Sequence, residues 1–148
     1  MVNNEEKTQT KNTQAKSSSA TFKKITASGN NMPISTKHSI AICKMIKGKT
    51  TAQAIKMLEE VVAYKRAVSM EGDEIPHRKG MGSGRFPINA SKEFIKLIKN
   101  LNSNALNANE DPSSLVIHAH ANIPSRKRSS RKAANFKRTD VLAELNKK

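Results

Sequence analysis

Two apolar, strand-like runs, Leu115-Val116-Ile117 and Val141-Leu142-Ala143-Glu144-Leu145, enclose a stretch without a single acidic residue between Asp111 and Asp140. Within it lies Arg126-Lys127-Arg128-Ser129-Ser130-Arg131-Lys132. Such a pattern constrains the chain to a basic finger held between two strands. The finger can push many cations into a polyanion while the folded base fixes its direction, and nucleic acid is the partner this suggests.

The rest of the charge agrees. A formal net charge of +15 over 148 residues costs the compact state self-repulsion, which a permanent anionic partner would relieve. Ten lysines and no acid occur from Lys7 to Leu58, whereas ordinary solvated faces mix both signs. Phosphate backbones are the commonest such partner, with an anionic membrane surface as the rival. No apolar run approaches the roughly 18 residues of a membrane-spanning helix, so a membrane partner is not expected. The polar start and the single cysteine, Cys43, fit a reducing, cytoplasmic setting, with Cys43 packing on an apolar helix face. Four Phe, one Tyr and no Trp leave little on which to stack bases, so sugar-phosphate and shape should dominate the grip.

Chain length allows one modest domain. Residues 1–33 are rich in Lys, Ser, Thr and Asn and read as a basic, disordered extension, with a short strand at Thr21–Ile25 as an option. Gly29-Asn30-Asn31 and Pro33 mark a turn into the folded part, residues 34–148. A first amphipathic helix is expected from Ser35, an N-cap type, to Lys47 before Gly48. Ile42, Met45 and Ile46 share one of its faces, and Lys37, Lys44 and Lys47 the other. Thr50-x-x-Gln53 is a capping-box pattern opening a second helix with Ala54, Ile55, Leu58, Val61 and Val62 on its apolar side. A loop follows from about 67 to 88. A third helix starts near Asn89, with Phe94, Leu97, Ile98, Leu101 and Ala105 on one side and Lys92, Lys96 and Lys99 on the other. Strands at about 115–120 and 140–145 complete an α+β fold: three helices on a small antiparallel sheet, with a projecting hairpin at about 119–139.

Chemical motifs are scarce. The glycines from Gly80 to Gly84 lack the G-x-x-x-x-G-K-[S/T] pattern of a nucleotide site. With His77, Arg78, Lys79 and Arg85 around them, they read as a basic loop that moulds to folded RNA, with a flexible turn as the plain alternative. His118 and His120 alternate on a strand and share one face, but no third ligand lies at metal spacing. They fit an exposed strand face touching phosphate or a 2′-hydroxyl. No nucleophile has a base nearby in sequence, so an enzyme is not expected, and neither is a cofactor or metal. For the finger alone, a nuclear-localisation tract is the plain alternative.

Met32-Pro33-Ile34-Ser35, Lys37-His38-Ser39, Cys43 and Ile46-Lys47-Gly48-Lys49 resemble the first helix of a universal large-subunit ribosomal protein family. It is the L-twenty-two family, L-seventeen in eukaryotic naming. Pro76-His77-Arg78-Lys79-Gly80-Met81-Gly82-Ser83-Gly84-Arg85-Phe86-Pro87 resembles the central loop of its archaeal and eukaryotic branch. Leu97-Ile98-Lys99-Asn100, Asn104-Ala105, Asp111-Pro112 and Leu115-Val116-Ile117-His118 continue the likeness, which runs from about 26 to 148. The resemblance implies three helices on a small sheet, a globular part near the polypeptide tunnel exit, and a hairpin lining the tunnel. It also implies large-subunit rRNA, neighbouring ribosomal proteins and the nascent chain as partners, in the cytoplasmic ribosome. The hairpin is shortened: arms of roughly ten residues reach about 30 Å at 3.3 Å per residue.

The expected RNA contacts are Arg126, Lys127, Arg128, Arg131 and Lys132 of the finger, with Lys137 and Arg138 at its return. His77, Arg78, Lys79 and Arg85 of the loop, Lys37, Lys44 and Lys47, then Lys92, Lys96 and Lys99, and His118 with His120 complete the set. Two other classes compete. A chromatin or DNA-packaging protein would be equally basic and aromatic-poor, although no recognition helix or dimer seam is evident. An RNA-modifying or nucleotide-using enzyme would need a small-molecule site for which no signature exists.

Overall fold

The computed structural model describes residues 24–72, 75–124 and 137–147. Its first element is a strand, β1 (Ile25–Met32), lying inside the segment that composition assigned to the extension; residues 25–33 therefore join the folded unit. The alternation explains why. Ile25 and Ala27 are buried while Thr26 and Ser28 are exposed, a period-2 pattern too short and too polar to stand out in sequence. What was read as a turn at Gly29–Asn31 is a β-bulge. Gly29 pairs with Val141 and Met32 with Thr139, so β1 carries one extra residue there, with Asn31 at φ 54°. The insertion swings Met32 back to the buried face.

Helix α1 (Thr36–Ile46) follows, and Ser35 occupies its N-cap position without a side-chain cap bond. Gly48, at φ 74°, ends it. Helix α2 (Thr51–Val62) opens on the expected capping box, with Thr50 and Gln53 bonded reciprocally at 3.4 Å. Where a loop was expected from 67 to 88, three short strands form a second sheet: β2 (Val68–Ser69), β3 (His77–Arg78) and β4 (Gly82–Arg85), in the order β2-β4-β3. Their pairs are fixed by a three-residue turn, Lys79-Gly80-Met81, with Gly80 and Gly82 both at positive φ, and by burial of Val68. The glycine cluster is thus a shaped hairpin rather than an open loop. Helix α3 (Ile88–Asn107), β5 (Leu115–Asn122) and β6 (Thr139–Lys147) complete the described elements.

The main sheet runs β1-β6-β5, antiparallel throughout. One row across its inner face is Ile25, Leu145 and Ile117; the next is Ala27, Ala143 and Ala119. Helix α1 covers β5, and α3 covers β1 and packs on α2. Phe94, Ile42, Ile46, Leu58, Ile98 and Leu101 meet the sheet in one core and are wholly buried. Truncating Phe94 to Ala there would cost about 3–5 kcal/mol. The expected α+β architecture, helices on one face of an antiparallel sheet, is borne out.

The outer edge of β5 is covered locally. Gly48 N–H donates to Ile117 O and Ile117 N–H donates to Lys49 O, both at 2.9 Å. The link between α1 and α2 thereby satisfies backbone groups that an open edge would offer to another strand.

Candidate nucleic-acid interface

The strongest convergence lies where α1 begins and the hairpin returns. The wholly buried Thr139 donates its hydroxyl to Ile34 O at 3.0 Å. Thr36 Oγ1 lies 3.0 Å from Thr139 Oγ1 and 3.4 Å from Arg138 O. With the Thr139 proton committed to Ile34, Thr36 is the donor in the shorter contact. These bonds hold the backbone at Arg138 and Thr139 against the entry of α1. Arg85 lies at the end of β4. Burial, then the charges of Arg85 and Lys137, hold the His38 imidazole below its ordinary pKa of 6.5. Two segments that are distant in sequence therefore bring cations near one histidine.

The remaining expected residues are spread more widely. His77, Arg78 and Lys79 are exposed on the β3–β4 hairpin. Lys44 on α1 and Lys47 at its C-cap are exposed, but Lys44 Nζ bonds Glu71 at 2.6 Å and holds that carboxyl below its usual range. The pair is solvent-exposed on both sides, so it contributes little and a phosphate could compete for the lysine. Lys92, Lys96 and Lys99 form an exposed stripe on α3, with Lys96 bridged to Glu93 at 2.8 Å. His118 and His120 share the outer face of the main sheet, opposite Leu115, Ile117 and Ala119. They pair across the strand with Glu144 and Leu142. The sheet itself separates these histidines from the helix layer, so they do not join the cluster at His38. Among the described residues no group of three His, Cys, Asp or Glu could hold a metal ion. Arg126, Lys127, Arg128, Arg131 and Lys132 lie outside the described residues.

Sequence reasoning missed Tyr64 and Phe86. Their rings stand 5.5 Å apart, tilted by 52°, and the Arg78 guanidinium lies over Phe86 at 5.2 Å. An open cleft of about 380 Å³ is lined by Phe86 and Arg78 and bordered by Lys65, Arg66 and Lys79. The only local signal was the neighbouring Lys65-Arg66 pair.

Three helices on one face of an antiparallel sheet, with cation-bearing segments at one end, define a small basic α+β protein. Residues 27–138 match the family described as Ribosomal protein L22p/L17e, and the chain belongs to that family. It is 42% identical over 101 residues to the large ribosomal subunit protein uL22 of Archaeoglobus fulgidus, covering 64% of this chain and 65% of the relative. Against the uL22 protein of Methanococcoides burtonii the identity is 45% over 82 residues, covering 53% and 54%. Against that of Methanosphaera stadtmanae it is 35% over 118 residues, covering 76% and 77%. The matched part thus spans between about half and three quarters of these relatives. The resemblance read from the helix-one and central-loop residues is borne out.

Proposed function

We propose that this chain is a structural constituent of the cytoplasmic large ribosomal subunit, without chemistry of its own. In this reading it binds rRNA near the polypeptide exit tunnel. The approach of Arg85 and Lys137 to His38 carries the proposal, because it brings cations from two distant parts of the chain to the start of α1, which also bears Lys37, in a member of this family. The cluster would neutralise phosphates that folded RNA brings together. Arg126, Lys127, Arg128, Arg131 and Lys132 would follow the tunnel wall and pass beside the nascent chain. His77, Arg78 and Lys79 would grip a second RNA segment. Lys44, Lys47, Lys92, Lys96, Lys99, His118 and His120 would make outlying contacts with rRNA. Neighbouring large-subunit proteins would complete the surroundings.

Sucrose-gradient fractionation of cells after a high-salt wash tests the reading. Co-migration with large subunits is expected. Migration with chromatin would favour a DNA-packaging protein, and recovery only as free protein would overturn the ribosomal assignment. Neutralising the five finger residues together should flatten the salt dependence of rRNA binding, each lost phosphate contact removing roughly 0.7 to 0.9 from the log–log slope. An unchanged slope would remove the finger from the interface.

A further inference from the structure

Helix α2 ends in an unusual way. Lys65 N–H bonds Glu60 O at 2.9 Å and Tyr64 N–H bonds Val61 O at 3.1 Å, the pattern of a Schellman C-cap. The residue that must turn left-handed in that motif is Tyr64, at φ 60°. Helix α3 closes with the same pattern, and there Asn109 takes the position at φ 57°. Asparagine tolerates that conformation; a tyrosine adopts it under strain. The strain buries nothing, since Tyr64 is 65% exposed.

Of the five aromatic residues, Phe94 is core, Phe22 and Phe136 lie outside the described residues, and the other two are Tyr64 and Phe86. Both described aromatics outside the core therefore stand together, with the planar Arg78 guanidinium on Phe86. Around them charge is one-sided. Among the described residues neither Lys65, Arg78 nor Lys79 has a carboxylate partner. Glu60, the one acid among the described residues lining the cleft, bonds Arg66 at Nε, 2.6 Å away, leaving that guanidinium's terminal amino groups to donate. Flat π surfaces ringed by cations complement one ligand chemistry well: an unpaired base with phosphates on either side. An acidic peptide would use the cations and leave the stacked planes without purpose.

We propose that Tyr64, Phe86 and Arg78 form a stacking site for a single extruded rRNA base, with Lys65, Arg66 and Lys79 holding its flanking phosphates. The site rests on the ribosomal reading and deepens it. Part of the grip becomes recognition of an unpaired nucleotide, which scarcity of aromatics had argued against. The cleft volume of about 380 Å³ falls at the low end of the roughly 300–1,000 Å³ typical of ligand pockets, which suits one nucleotide.

The test is filter binding of the full chain to deproteinised large-subunit rRNA in excess tRNA, at several salt concentrations. The variants are Tyr64→Gly, Tyr64→Phe and Arg78→Lys. Tyr64→Gly relieves the backbone strain, so it should melt near the wild-type temperature. Its affinity should nevertheless fall roughly five- to 150-fold, as for loss of one base stack, at an unchanged salt slope. Arg78→Lys keeps the charge, loses the plane, and should weaken binding the same way. Tyr64→Phe should bind like wild type. Wild-type affinity in both Tyr64→Gly and Arg78→Lys would overturn the stacking site while leaving rRNA binding intact, and would turn attention to a protein partner on this face. Failure of the wild-type chain itself to prefer rRNA over tRNA would overturn the ribosomal reading and this site with it.

Discussion

Thr139 and Ile34 are joined by a buried 3.0 Å hydrogen bond across 105 residues of chain, and it ties the return of the hairpin to the entry of α1. A hydroxyl with no exposed surface makes this contact, and Thr36 completes it from the helix. The start of β6 is therefore anchored by contacts at the entry of α1. Thr139→Val, close in shape, should leave Ile34 O without its partner and cost about 1–3 kcal/mol of unfolding free energy. Urea denaturation measures this; an unchanged midpoint would mean the clamp contributes nothing.

His38 should report on the cationic cluster directly. Its folded pKa lies below the ordinary 6.5, through burial first and then Arg85 and Lys137. The unfolded chain therefore takes up the proton more readily. The stability His38 contributes is present above pH 6.5 and is lost as pH falls through the folded pKa. Replacement by Gln should flatten that acid-side slope. When phosphate neutralises Arg85 and Lys137, the imidazole pKa should rise, so an NMR titration should shift upward on adding rRNA. A free-protein titration at or above 6.5 would contradict the arrangement.

Cys43 should be inert in the folded protein. It is 6% exposed, and burial pushes its thiol from 9.0 up to about 12. Thiol reagents near neutral pH should label it only through unfolding, at a rate that rises with urea. Because the folded thiol holds its proton more tightly, its contribution to stability is intact below pH 9.0 and declines as pH rises toward about 12. Rapid labelling in native buffer would show that α1 opens readily.

Gly82 tests whether the second sheet needs its backbone shape. A methyl group there would meet nothing within 4 Å, so space is not the constraint; the backbone at φ 82° is. Gly82→Ala should cost about 1–2 kcal/mol and loosen the hairpin that carries Arg78. Thermal melts give the cost, and loss of the ring-current shift expected for the Arg78 guanidinium over Phe86 would report the loosening. A neutral substitution would mean the turn rearranges freely.

Much of the scaffold was legible because it is written locally. The Thr50–Gln53 capping box, the spacing of Phe94, Leu97, Ile98 and Leu101, and the alternation through Leu115 and Ile117 each depend on residues a few positions apart. The strand β1 was not legible, because Ile25 and Ala27 acquire meaning only when Leu145 and Ala143 arrive beside them. The small sheet was hidden for the same reason. Two-residue strands such as Val68–Ser69 have no period to detect, and their pairing with Gly84 and Arg85 spans a segment rich in glycine.

By itself, then, the sequence determined three helices, two of the strands, a one-sided charge and the family to which they belong. These follow from periodicity, caps and composition, which act over a turn or two of chain. Only the tertiary structure decided that His38 should feel the charges of Arg85 and Lys137, and that Tyr64, Phe86 and Arg78 should stand together. Those meetings join residues up to about a hundred positions apart. They exist because the helices and strands pack in one particular arrangement, and no local pattern in the chain specifies which side chains that packing will bring together.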